Sequence, residues 1–499
     1  MAHPFVASSS ILHRAFADEP LNVVGVNGIR LVLESGQEIL DASAGPSVSC
    51  LGHSRPDVAQ EVAKQLSTVP YVYSGARFTC KATEELAAHV LRGNPGGLSK
   101  AIFVNSGSEA TDAALKLAFQ YWREADRPRK RFVIARKQSY HGNTIGALCV
   151  SGHDSRRALY SDWMSSNVRF VDPCFAYRFK RKGEMDDAYV QRLSDQLENQ
   201  ILELGPENVA AFVAETVSGT TLGCAAATPG YFKAVRDLCD KYDILLILDE
   251  IMCGMGKTGT MHAWEQEGIR GPDIQTIGKA LGGGFIPLSA VLLHKKIFDV
   301  LSAGSGALAH GHTFQAHPAA CAAALVVQKV IEKDNLLENV RQMGSVLGDL
   351  LRSQIGHLPL VGEIRGRGLF WAAEFMLHAG DRIPLPRELK FCDRVVKRSL
   401  ELGLNVLGNL GVTGDVYVNH VIVCPPYIVK EEELRDIIKI LAQAIQDVTA
   451  EVASWMTTSS AKLVTASKTN GYHVNGHVNG LKKNGHATEI GQLGEVNLP

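Results

Sequence analysis

The sequence predicts an α/β protein, with a large domain built on a mostly parallel sheet flanked by helices and a smaller α+β domain after it. Short apolar runs at 101–104, 131–135, 209–214, 244–248 and 274–277 alternate with helical patterns from about residue 80 to 300. One run, Leu245-Leu246-Ile247-Leu248, is apolar without a break and ends in Asp249-Glu250, as a parallel strand buried on both faces does. Such strands bring their C-terminal ends to the ligand crevice of an open sheet.

The elements follow in order. Residues 23–42, punctuated by Gly25, Gly28 and Gly36, read as short strands joined by turns. The 101–104 strand runs into Asn105-Ser106-Gly107-Ser108-Glu109-Ala110 and then a helix over 111–122; Ser106 with Glu109 three residues on is a capping box that fixes the helix start. After Pro318 the pattern is helical from 319 to 331 and onward to 351. Strands near 369–375 and 421–424 and an amphipathic helix over 431–450 complete an α+β unit. The expected organisation is an N-terminal segment, 1–60, contributing to the small domain, a large domain over 61–325, the C-terminal small domain over 326–456, and a tail over 457–499. That tail is rich in Ser, Thr, Asn, Gly and His, and is expected to be disordered. Its three histidines read as solvated side chains, and no metal site is expected.

Composition narrows the function. A formal net charge of −1 offers no footprint for nucleic acid, and no apolar run approaches the ~20 residues of a membrane span. The ten cysteines include no C-x-x-C pair and read as reduced thiols. Residues 5–12 lack the plan of a signal peptide, so a cytoplasmic protein acting on small molecules is expected.

Chemistry concentrates in two places. Lys279, within Ile277-Gly278-Lys279-Ala280-Leu281-Gly282-Gly283-Gly284, lies 30 residues after Asp249 (279 − 249) and leaves the next strand toward the same crevice. A lysine amine with a buried carboxylate is the pair that pyridoxal phosphate requires: the amine forms a Schiff base, and the carboxylate keeps the pyridine nitrogen protonated. Alternation puts Asp249 and Ile251 on one face, so Ile251 would pack on the ring that Asp249 polarises. The amides of Gly107 and Ser108, the Ser108 hydroxyl and the helix dipole form a phosphate cradle. A capped helix without a ligand reads the same way; position in one sheet with Asp249 favours the cradle. Gly254-Met255-Gly256-Lys257-Thr258 looks like the end of a nucleotide-binding P-loop, but that motif needs glycine at position 251, which is Ile.

Further blocks lie in a fixed order: Leu51-Gly52-His53, Arg77-Phe78-Thr79, Ser139-Tyr140-His141-Gly142, Gly256-Lys257-Thr258-Gly259, Gly311-His312-Thr313-Phe314, Arg365-Gly366-Arg367-Gly368-Leu369 and Pro425-Pro426. With the Asn105–Ala110, Asp249 and Lys279 blocks they resemble the class-III pyridoxal-phosphate-dependent aminotransferases, of the ω-aminotransferase and ornithine-aminotransferase type (fold type I), from about Ser9 to Trp455. The resemblance implies that Lys279 holds the cofactor and moves the proton, and that Asp249 pairs with the ring nitrogen. Tyr140 would stack on one ring face and Ile251 on the other, with Ser106, Gly107, Ser108 and His141 also in the cofactor site. Thr313 would add a phosphate contact from the neighbouring subunit of a homodimer whose active sites are shared. Arg365 would bind a substrate α-carboxylate, with Glu215 able to mask it. Tyr73 is a further candidate at the substrate pocket, as is Trp264, although aromatic residues at such spots are as often packing. The implied reaction is ping-pong transamination; an aminomutase, racemase, decarboxylase or lyase on the same fold is the alternative. Three departures leave the amino donor open. The family's Glu-Pro-Val reads Glu215-Thr216-Val217, Met252 replaces a glutamine, and 414–420 contains no arginine.

Overall fold

The computed structural model describes residues 3–412 and 417–469. Its central sheet has seven strands: β1 (Leu98–Val104), β2 (Phe132–Arg136), β3 (Val168–Val171), β4 (Val209–Glu215), β5 (Leu245–Asp249), β6 (Ile274–Ile277) and β7 (Ser289–His294). Their spatial order is β1-β7-β6-β5-β4-β2-β3. From β6 through β3 every pairing is parallel, whereas β7 is antiparallel to both β6 and β1. The mostly parallel sheet is therefore present, and β3 and β7 are additions to the predicted strands.

The sheet is parallel because both of its faces are covered. Every residue of β4 and β5 is buried. On one face Ala110, Ala113, Ala114, Leu117 and Ala118 of the Gly107–Glu124 helix share a core with Ala211, Val213, Leu245 and Ile247. On the other, Leu193 and Leu197 of the Asp186–Leu204 helix and Phe232 and Val235 of the Tyr231–Lys241 helix join Phe212, Ala214, Leu246 and Leu248. Each of the Leu, Val, Ile and Phe side chains contributes about 1.5–3 kcal/mol on burial. The alternation has a consequence for the site. Asp249 continues the Leu245–Ile247 face, and Glu250 continues the opposite one.

The C-terminal part carries an antiparallel sheet of Val361–Arg367, Phe370–His378, Tyr417–Val423 and Leu407–Val412, with Ile383–Pro384 paired at the side. Near the N-terminus, Val23–Asn27, Arg30–Leu33 and Glu38–Asp41 form a sheet completed by Leu404–Asn405, so the first strands join the C-terminal part of the chain. The helical stretch after Pro318 is two helices, Pro318–Lys333 and Leu336–Leu350, broken where Asn335 turns left-handed at φ 51°. The closing helix spans Glu431–Thr469, so residues 457–469, expected to be unstructured, are helical. Extending an established helix fixes one residue per added hydrogen bond, without the cost of a new nucleus. The rest of the tail, with its histidines, and residues 413–416 of the arginine-free segment lie outside the described residues.

One compact unit, Asn22–Ile445, holds every candidate site residue; the chain ends on either side of it form a second. All ten cysteines are free, and all but Cys80 are buried. No helix among the described residues is long and apolar enough to cross a membrane.

Candidate active site

Register sets the geometry. Asp249 pairs with Glu215 of β4 on one side and Thr276 of β6 on the other, so the C-terminal ends of three strands lie abreast. Lys279 follows three residues after Thr276, on the Lys279–Leu281 turn, at φ 45°. A left-handed lysine costs about 1–2 kcal/mol and needs support from its surroundings. That support is present: Gly283 N donates to Lys279 O at 2.9 Å, and buried Gln328 donates to Ala280 O at 3.0 Å and Leu281 O at 2.8 Å. Burial lowers the pKa of the Lys279 amine, and Asp249 is the foremost of the charges opposing that shift. The amine and the carboxylate therefore interact through their charges.

Asp249 is held from two sides. Its Oδ2 is 2.7 Å from His141 Nδ1, and its Oδ1 accepts from Ile251 N at 3.0 Å. A carboxylate can only accept, so Nδ1 carries the proton. His141 N donates to Ser151 Oγ at 2.8 Å, and His141 O accepts from Thr111 Oγ1 at 2.8 Å. Its Nε2 is buried and has no partner among the described residues.

Ile251 is the meeting point of the predicted parts. A Cβ built on Gly107 would lie 3.1 Å from Ile251 Cγ2, and one on Gly278 would lie 3.1 Å from Ile251 Cδ1. The start of the Gly107 helix, the end of β5 and the residue before Lys279 thus close on one side chain, an approach that the missing Cβ atoms allow. Ser106 caps the helix by accepting from Glu109 N at 3.2 Å. The reciprocal half of the capping box differs from the expectation. Glu109 Oε2 reaches one residue further back and accepts from Asn105 N at 2.7 Å and Asn105 Nδ2 at 3.2 Å. Ser108 Oγ accepts from Asn143 N at 2.9 Å, which leaves its own proton free to donate. This donor set at a helix N-terminus fits a phosphate, and the Lys279–Asp249 pair fits the ring end of pyridoxal phosphate.

Tyr140 is half-buried; the Arg156 guanidinium stands 4.9 Å from its ring centre, and His153 meets it edge-on at 6.4 Å. Glu215 turns back on its own chain, accepting from Gly219 N at 2.9 Å and Ser218 Oγ at 3.3 Å, and burial raises its pKa. It does not meet Arg365. That arginine donates through Nε to Gly223 O at 2.7 Å, and Nη1 lies 2.7 Å from Glu363 and 2.6 Å from Glu374; Nη2 donates to Leu222 O. Glu374 is also bonded by Arg178 Nε at 2.6 Å. In this structure Arg365 pairs with Glu363 and Glu374 and not with Glu215. Glu363 was legible from alternation, two residues from Arg365 on one strand; Glu374 and Arg178 carried no local signal.

The remaining candidates lie apart. Tyr73 is 49% exposed, its ring folded over Gly75. Thr313 is exposed, and its carbonyl accepts from Tyr71 Oη at 2.8 Å. Trp264 is core, its Nε1 donating to Gln275 Oε1 at 3.2 Å. Lys257 of the P-loop look-alike is fully buried and donates to Pro425 O at 3.0 Å, away from any nucleotide.

Solved structures share this architecture. A transaminase from a study of directed evolution by ancestral reconstruction superposes with a TM-score of 0.83 at 32% identity, covering 87% of this chain and 93% of that one. The ω-transaminase of Pseudomonas jessenii, solved in complex with PMP, does so at 0.81 and 32%, covering 87% and 94%. The fold is that of a fold type I transaminase. The chain belongs to the class-III aminotransferase family, whose profile matches residues 14–445, and it is an aminotransferase. It is 43% identical over 431 residues to an uncharacterized aminotransferase of Schizosaccharomyces pombe, covering 86% of this chain and 94% of that protein. Enzymes of this class depend on pyridoxal phosphate.

Proposed function

We propose that the chain exchanges an amino group between a small-molecule donor and an oxo acceptor in two ping-pong half-reactions centred on Lys279. The observation that carries this reading is the Lys279 amine, which burial shifts toward its neutral form and whose foremost opposing charge is Asp249, next to the point where Gly107 and Gly278 close on Ile251. Pyridoxal phosphate, when bound there, supplies an aldehyde carbon to take the amino group and a ring to take up the electron pair. Gly107 and Ser108 would hold its phosphate and Asp249 the proton of its ring nitrogen, with His141 and Ile251 N fixing the carboxylate. Tyr140 and Ile251 would bracket the ring. Lys279 Nζ would hold the cofactor at rest and, when free, would take the proton from the donor's reacting carbon and return it at the end of the transfer. A base already placed over that bond needs no diffusive encounter.

The reading extends to a homodimer in which Thr313 of one copy serves the site of the other. Exposed Phe78, Phe314 and Tyr71 support a covered surface around Thr313. The test is a two-stage reaction. Donor alone should release one carbonyl product per site and stop; pyruvate or 2-oxoglutarate added afterwards should restart it. Continuous turnover of donor without an acceptor would point instead to a racemase, mutase, decarboxylase or lyase.

A further inference from the structure

Glu250 follows Asp249 on the chain and leaves the sheet on the opposite face. It is fully buried, and among the described residues no basic side chain pairs with it. Four donors converge on it instead. Oε1 accepts from Thr216 Oγ1 at 2.7 Å and Trp264 N at 2.8 Å; Oε2 accepts from Ala263 N at 2.8 Å and Gln275 Nε2 at 2.9 Å. Gln275 is itself held, with Nε2 3.0 Å from His262 Nδ1 and Oε1 accepting from Trp264 Nε1 at 3.2 Å. Removing such a carboxylate from water is costly unless its lone pairs are met, and here each oxygen has two donors.

The origin of the donors matters more than their number. Thr216 follows the last residue of β4, Gln275 lies on β6, and Ala263 and Trp264 belong to the turn after β5. One carboxylate therefore ties three adjacent strand ends from behind, at the level where Glu215, Asp249 and Thr276 stand abreast on the crevice side.

We infer that Glu250 is a positioning residue: anchored on the rear of the sheet, it fixes the orientation of the β5 end that presents Asp249 to the cofactor. This rests on the cofactor assignment above. Burial also lifts the Glu250 pKa to about 7, with Thr216, Ala263 and Trp264 opposing the rise, as expected of a carboxylate whose donors are structural.

The test uses the full chain loaded with pyridoxal phosphate, comparing the parent with Glu250→Gln, Thr216→Val and Asp249→Asn. The readouts are cofactor retention on dialysis, the pH midpoint of the bound cofactor's absorbance change, and thermal stability. Glu250→Gln sets an amide NH2 against donors, so retention should fall at least about tenfold and the midpoint should move toward that of Asp249→Asn. Thr216→Val should shift both in the same direction by less. A lower melting temperature with unchanged midpoint and retention would overturn the inference, leaving Glu250 a purely structural residue. Should Glu250→Gln fail to fold, Thr216→Val decides, and an unaltered midpoint there overturns it. A parent protein that shows no bound-cofactor band would sink the cofactor assignment and this inference together, whereas a parent band with indifferent variants sinks this inference alone.

Discussion

Around Lys279 the charged groups have few bonded partners; around Arg365 they have many. Asp249 is gripped by His141 and Ile251 N, and Lys279 interacts with it through charge, with no bonded partner for its amine among the described residues. Arg365 touches Glu363, Glu374 and two carbonyls, and Arg178 takes the other oxygen of Glu374. Glu363 and Glu374 face each other across the antiparallel pair, an arrangement of like charges that is unfavourable without the arginine bridging them. The difference separates two uses of buried charge. In the first region each Asp249 oxygen has one donor, and in the second Arg365 is engaged through Nε and both terminal nitrogens.

Four changes probe that contrast, from the largest effect to the smallest. Lys279→Ala should lower kcat/KM by at least about 10³-fold while leaving the melting temperature intact or raised, since it deletes a base and a strained, desolvated amine. Activity within about tenfold of the parent would remove Lys279 from its role. Asp249→Asn should cost about 10²-fold or more in kcat and loosen the cofactor, as loss of one fixed charge at a reacting centre does; steady-state kinetics and dialysis check both. Glu374→Gln should reverse the pattern. Breaking a buried pair costs about 3 kcal/mol of stability in denaturant unfolding, while kcat with an amine lacking a carboxylate stays within a few-fold. A large kcat loss there would show that the Arg365 cluster belongs to the site.

The smallest effect is a pH dependence. Burial lowers the folded-state pKa of Lys279 below its ordinary 10.5, so between the two values the unfolded chain binds more protons. Stability of the cofactor-free protein should therefore rise with pH across that window and level off above 10.5. Lys279→Met should flatten the rise relative to the parent, and melting curves at stepped pH measure it.

The same contrast explains what the sequence made legible. Lys279, Asp249 and Ser106–Ser108 are announced locally: an apolar strand ending in a carboxylate, a lysine between glycines, a helix cap. Ile251 followed from strand alternation. Arg365 was legible as a residue but its contacts were not, because Glu374 lies on the next strand and Arg178 is 196 positions from Glu374 in the chain. Glu250 was visible beside Asp249, yet its donors come from three separate segments. Among the strands, β3 exposes Arg169 at the sheet edge and so lacks an unbroken apolar run. β7 does contain Ala290-Val291-Leu292-Leu293, a signal that was present. The extent of the last helix, through Thr469, depends on propagation from well-formed turns, which a polar composition conceals.

The most direct test of a shared Lys279–Asp249 cavity is borohydride reduction of the protein loaded with pyridoxal phosphate, followed by digestion and mass mapping of the labelled lysine. Stoichiometric label on Lys279, retained on rapid trapping and lost in Lys279→Ala, is the predicted result. Label on the buried Lys257, on another lysine, or on none would contradict it.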